Sequence, residues 1–226
     1  MRRSSGFRGA WRGMLGVLAV LLAVGALPLW SAAAPPQREI VGGSPVKAGT
    51  MPFMAAFLWL PAGEEYPWCA ATLVTPDTVL TAASCLYYLG YVGEDLVLAE
   101  IAPEDLAVVV QGRGNTPLAE LKRIAVTSIE YSPGFDVSSC GLSLMALSNI
   151  FACADDAALL RLAAPVRGAA PVTLIEPGSD GYWQKGQRLT AAGWSGEFLA
   201  QPPPGPLTRA ALPVFDREVC GRRYER

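Results

Sequence analysis

Proton transfer near neutral pH usually relies on imidazole, and this chain of 226 residues contains no histidine. That absence directs attention to Ser84, in the run Val79-Leu80-Thr81-Ala82-Ala83-Ser84-Cys85-Leu86. A hydroxyl ionises far above neutrality, so Ser84 cannot take a proton from a nucleophile and return it to a leaving amine as an imidazole would. Asp156 heads a second apolar run, Asp156-Ala157-Ala158-Leu159-Leu160-Arg161-Leu162; its carboxylate can orient a base or accept a hydrogen bond from a hydroxyl. The residue types also permit a serine–lysine hydrolase, with Ser84 as nucleophile and Lys122 activating it, although nothing in the sequence brings the two together. Metal binding is not expected, because histidine is absent and cysteines in an exported chain serve as bridges. No glycine-rich phosphate loop or nucleotide fingerprint occurs, so no cofactor is expected either.

The elements that must position these residues read as strands. Met51–Leu60 is an apolar, aromatic-rich run bounded by Pro52 and Pro61, too short for a typical buried helix, followed by a turn at Gly63–Pro67. Leu96–Ile101, Ala107–Gln111 and Lys122–Glu130 are short β-prone runs. Gln201–Pro206 lacks most backbone donors and reads as an exposed connection, with a further strand over Leu207–Phe215.

Arg2, Arg3, Arg8 and Arg12 precede an uncharged, mostly apolar segment, Gly13–Pro28, which ends in Ser31-Ala32-Ala33-Ala34. This pattern predicts a secretory signal peptide over residues 1–34, cleaved after Ala34; the rival is a signal anchor, since a bilayer needs about 20 apolar residues. Either way the remainder is expected to be secreted, extracellular or periplasmic, in an oxidising compartment. Only an anchor would make the membrane a partner. The formal net charge of −2 comes without basic blocks, so nucleic acid is not an expected partner. Five cysteines, Cys69, Cys85, Cys140, Cys153 and Cys220, leave one over: a reactive thiol, an intermolecular bond, or a missing partner.

Several motifs in order resemble the trypsin-like (chymotrypsin-fold) serine proteases. Ile40-Val41-Gly42-Gly43 resembles the family's mature N-terminus, Trp68-Cys69-Ala70-Ala71-Thr72-Leu73-Val74 its Cys-Gly-Gly-Ser-Leu-Ile strand, and Thr81-Ala82-Ala83-Ser84-Cys85 its Thr-Ala-Ala-His-Cys segment. Tyr131–Asp136 resembles the His-Pro-x-Tyr turn, Asp156–Leu162 the Asp-Ile-Ala-Leu-Leu-x-Leu run, Gln187–Gly196 the strand ending in Gly-Trp-Gly, and Asp216–Cys220 a short helix whose cysteine pairs downstream. The resemblance implies an all-β double six-stranded barrel, with a first barrel over about 40–163, Ala164–Pro177 crossing to the second, and a partial second barrel over about 164–226. Residues 35–39 would be a short propeptide, and Ile40 the activation N-terminus. Arg38 and then Glu39 precede Ile40, so a trypsin-like activator cutting after arginine would leave an extra glutamate.

The same resemblance implies that Ser84 occupies the position of the general base, where it would be inactive, and that Asp156 occupies that of the triad acid. It implies a Cys69–Cys85 disulfide between adjacent strands. Relative to the family pattern, Val137–Ala154 is an insertion, with Leu144, Leu147 and Phe151 spaced for a short amphipathic helix and a local Cys140–Cys153 staple, leaving Cys220 unpaired. The two alanines at 70 and 71, glycines in the family, would narrow the cleft or be tolerated strand variation. Gly-Asp-Ser-Gly-Gly does not occur in the sequence, so the second barrel is expected to be incomplete. The function expected is a secreted, non-catalytic protease homologue that binds a protein or peptide. The alternative is a serine-type endopeptidase whose sequence is truncated or altered at position 84.

Overall fold

The computed structural model describes residues 40, 43–92, 94–113, 116–142, 151–194, 206–216 and 218–219. The strands are β1 (Ser44–Pro45), β2 (Met54–Trp59), β3 (Tyr66–Thr75), β4 (Thr78–Thr81), β5 (Tyr87–Val92), β6 (Asp95–Glu100), β7 (Leu106–Val110), β8 (Ile124–Tyr131), β9 (Gly141–Leu142), β10 (Phe151–Ala152), β11 (Ala158–Leu162), β12 (Arg188–Gly193) and β13 (Thr208–Pro213). Six of them close a barrel in the order β11-β4-β3-β2-β7-β8, every neighbour antiparallel. The all-β barrel expected for the first half is therefore present. In the second half the described residues form a three-stranded sheet, β1-β13-β12, to which Ser44 and Pro45 contribute by pairing with Arg209 and Thr208.

The unbroken apolar run at Met54–Trp59 has a physical cause in two cores, one on each side of the strand. Ala55 and Phe57 point into the barrel with Leu73, Val79, Val108 and Leu160. Ala56 and Leu58 point outward into a second cluster with Val109, Leu118 and Leu121. Because successive side chains of a strand face opposite ways, a strand covered on both sides loses the apolar–polar alternation that would otherwise mark it. A short 3-10 turn at Leu118–Glu120 supplies part of the outer cover through buried Leu118.

Some expectations needed correction. β3 begins at Tyr66, inside the segment read as a turn, and the turn lies earlier, at Pro61–Gly63. Phe57 pairs with Cys69 and Leu58 with Pro67, so Trp68 is an extra residue bulged from β3. A bulge tolerates proline's missing donor, which is how Pro67 fits inside a strand. Cys85 lies in a single turn, Ala83–Leu86, after β4 rather than on an adjacent strand. Tyr87–Val92, in no expected element, forms a hairpin with β6. Phe151, expected on a helix, pairs as a strand residue with Leu142; Leu144 and Leu147 lie outside the described residues, as do Cys220, residues 1–39 and most of the proline-rich connection. Among the described residues no helix is long and apolar enough to cross a membrane.

Candidate functional site

Ser84 is carried by the Ala83–Leu86 turn, which the fully buried Ala83 and Leu86 pin to the barrel interior. The Cys69–Cys85 disulfide ties this turn to β3. The bulged Trp68 adds a second tie, its indole Nε1–H donating to the Cys85 carbonyl at 2.6 Å. Disulfide and indole hold position 84 from both sides of Cys85, so its orientation belongs to the scaffold and not to the serine side chain.

Asp156 arrives from the opposite side, just before β11. Asp155 adopts a left-handed conformation with φ of 50°, which aspartate tolerates better than most residues. The Ala157 amide donates back to the Asp155 carbonyl at 2.7 Å, and the Ser132 amide donates to the Ala157 carbonyl at 2.9 Å. Gly134 lies directly against Asp155; a Cβ there would clash with its carboxylate. These contacts fold the chain tightly around Asp156 and leave its carboxylate facing Ser84.

The two residues meet through two hydrogen bonds. The Ser84 amide donates to Asp156 Oδ1 at 2.7 Å, and the Ser84 hydroxyl donates to Oδ2 at 2.8 Å. Both residues are half-buried. One carboxylate thus takes up a backbone donor and a side-chain donor from a residue 72 positions away. The first bond is open to any residue at 84 except proline, whereas the second needs a side chain that can donate. With its proton directed at Asp156, the hydroxyl presents lone pairs outward and can accept a hydrogen bond. The chain holds no imidazole to take its proton.

The lysine-activated alternative fails on geometry. Tyr131 and Thr81 both pair with Ala158, so Ser84 lies near the C-terminal end of β8. Lys122 precedes the strand's other end, roughly 30 Å away at about 3.3 Å per residue.

Aromatic rings flank the turn. Tyr131 and Phe135 stack at 5.6 Å, with Tyr87 6.0 Å from each. The Tyr131 hydroxyl donates to Glu100 Oε1 at 2.7 Å, and burial, reinforced by that bond, holds its phenol far above the usual tyrosine range. On the other side Trp59 packs against Trp68 at 4.8 Å and Tyr88 at 4.6 Å. An open cavity of about 600 Å³ lies beside β3, and Ala70, Ala71, Thr81, Thr190 and Ala192 are among its lining residues. Both alanines that replace the expected glycines are thus among the residues bordering this cavity, while the buried Ala71 also belongs to the barrel core. Among the described residues no cluster of three or more potential ligands could hold a metal ion.

The remaining expected residues are placed as follows. Cys140 and Cys153 are bonded, closing the short β9–β10 ribbon. The Ile40 carbonyl accepts from the Gly43 amide at 2.7 Å in a tight turn. Sequence reasoning missed the Trp68 clamp, the Asp155–Gly134 contact and the amide half of the Ser84–Asp156 contact. Only the strand-internal proline at 67 hinted at the first, and nothing in the one-dimensional pattern marks the other two.

A family model described as Trypsin matches residues 40–226. Coagulation factor XII from Sus scrofa is 30% identical over 185 residues, an alignment covering 81% of this chain and 27% of that protein. Mannan-binding lectin serine protease 1 from Homo sapiens is 27% identical over 193 residues, covering 83% of this chain and 25% of that protein. Trypsin from Saccharopolyspora erythraea is 27% identical over 187 residues, covering 82% of this chain and 68% of that protein. The chain spans about a quarter of the length of the first two relatives.

Proposed function

The chain belongs to the trypsin family of serine proteases, and from that membership we propose that residues 40–226 form an exported domain that binds a protein or peptide without cutting it. Residues 1–34 act as the export signal, residues 35–39 as a short propeptide, and the two disulfides suit an oxidising compartment. The observation that carries the proposal is the paired contact between Ser84 and Asp156. In this reading Asp156 is the acid of a triad whose base position is filled by serine. The pair has settled into a structural hydrogen bond. A carboxylate that would orient an imidazole and stabilise its cation has a hydroxyl to hold instead. With no histidine elsewhere in the chain, no other imidazole can be recruited.

The test is direct: the purified, disulfide-intact chain is offered peptide-amide substrates and a fluorophosphonate probe that labels activated serines. No turnover and no labelling are expected. Hydrolysis that survives repurification and disappears in Asp156→Ala would overturn the proposal in favour of a serine endopeptidase.

A further inference from the structure

The hairpin β5–β6 has no place in the barrel. After β4 the chain passes through the Ser84 turn, runs out along Tyr87–Val92, returns along Asp95–Glu100, and re-enters the barrel at Leu106. Its base is anchored firmly. The Ile101 amide donates to the Leu86 carbonyl at 2.8 Å, Tyr88 packs on Trp59, and Glu100 accepts from Tyr131. Beyond the base, among the described residues, the two strands pair only with each other.

A two-stranded ribbon is marginal alone, and its outer edges are open to strand addition. Proteins usually blunt such edges with charged side chains, lysine above all, with proline or with a bulge. This hairpin's register runs unshifted from Tyr87↔Glu100 to Val92↔Asp95, residues 87–100 contain neither lysine nor proline, and the charges it carries are all acidic. Leu89 and Leu98 pair on the face that carries Tyr87, and Leu98 remains 36% exposed.

Charge indicates the occupant. The net charge conceals a strong asymmetry, because no lysine or arginine lies between Lys47 and Arg113, whereas Glu64, Glu65, Asp77, Glu94, Asp95, Glu100, Glu104 and Asp105 all do. All eight are exposed. The ion pairs among the described residues, Arg123–Glu65 and Lys185–Asp216, leave the hairpin carboxylates out. We propose that the β5–β6 hairpin is a docking ribbon for a lysine- or arginine-bearing polypeptide segment, bound extended along its edge beside the Ser84 turn. Backbone pairing supplies the register, and Leu89 and Leu98 receive apolar side chains. Glu94, Asp95 and Glu100 select basic residues and steer the encounter. The proposal names the partner class of the binding domain inferred above and rests on that reading.

The probes are a capped alternating Lys-Val octapeptide, its Glu-Val counterpart, and the Lys-Val peptide N-methylated at alternate residues. Binding to the full chain is measured by calorimetry, with amide hydrogen exchange reporting the location. The Lys-Val peptide is expected to bind and to slow exchange within residues 87–100, while the other two bind at least about tenfold more weakly. Glu94→Lys/Asp95→Lys, at exposed positions, should weaken Lys-Val binding about tenfold, as expected when two rim charges are reversed. Failure of the Lys-Val peptide to bind, equal binding of the N-methylated peptide, or indifference to the double substitution would each overturn the docking proposal. None of those results bears on catalysis. Cleavage of the bound peptide, read by mass spectrometry, would instead overturn the non-cutting reading and leave the docking site standing.

Discussion

Replacing Ser84 by histidine asks whether the scaffold still holds Asp156 where a base would need it. The residue-84 amide bond to Asp156 Oδ1 is backbone-made and survives the change, which leaves Oδ2, now 2.8 Å from the serine hydroxyl, free to accept from an imidazole Nδ1–H. A carboxylate within hydrogen-bonding distance raises a histidine pKa; for a half-exposed pair we expect about one unit, from ~6.5 to ~7.5, equivalent to ~1.4 kcal/mol. The sign follows from linkage. A raised folded-state pKa adds stability that is fully present below about pH 6.5 and is lost as pH rises through about 7.5. Since the chain has no other histidine, Ser84→His contributes the sole imidazole signal in a proton NMR titration. Urea unfolding at pH 5.5 and 8.5 should show the same ~1.4 kcal/mol as a pH-dependent difference between Ser84→His and Ser84→His/Asp156→Asn. An imidazole that titrates at or below ~6.5, or that ignores Asp156→Asn, would refute the reasoning.

Two further predictions concern the scaffold. Tyr131 should stay protonated in a spectrophotometric titration through pH 11, where exposed tyrosines ionise. Because its folded pKa is raised by burial and by Glu100, its contribution to stability should hold below about pH 10 and fall as pH climbs beyond, an alkaline loss absent from Tyr131→Phe. Replacing Cys69 and Cys85 together by alanine opens a loop with a sequence separation of 16 residues, and should cost about 3 kcal/mol in chemical denaturation while the β9–β10 ribbon keeps its own disulfide.

Much of the architecture was legible because strand-forming chemistry is local. Met54–Trp59, Leu106–Val110 and Ile124–Tyr131 all lie within or beside runs whose apolar and β-branched residues mark them as strands. Hairpin β5–β6 was half visible: its second strand, Asp95–Glu100, was readable, while Tyr87–Val92 was obscured by Gly90, where a Cβ would fall 2.8 Å from the Tyr88 ring. Phe151 carried helix-like spacing, yet its partner across the Cys140–Cys153 bridge made it a strand residue. The net charge of −2 pointed to no partner, because it sums the basic excess of the segment up to Lys47 with the acidic, cation-free stretch before Arg113, the rest of the chain being nearly balanced.

The absence of histidine, the serine at position 84 and the cysteine inventory are properties of composition, and no fold could supply an imidazole that the chain does not encode. Tertiary structure alone brought Asp156 to the amide and hydroxyl of a residue 72 positions earlier, bulged Trp68 onto the Cys85 carbonyl, and left the hairpin's edges outside the barrel. Chemical capacity is carried by residue type and can be read one position at a time. Proximity and exposure arise only when distant strands pair and decide which surfaces remain uncovered.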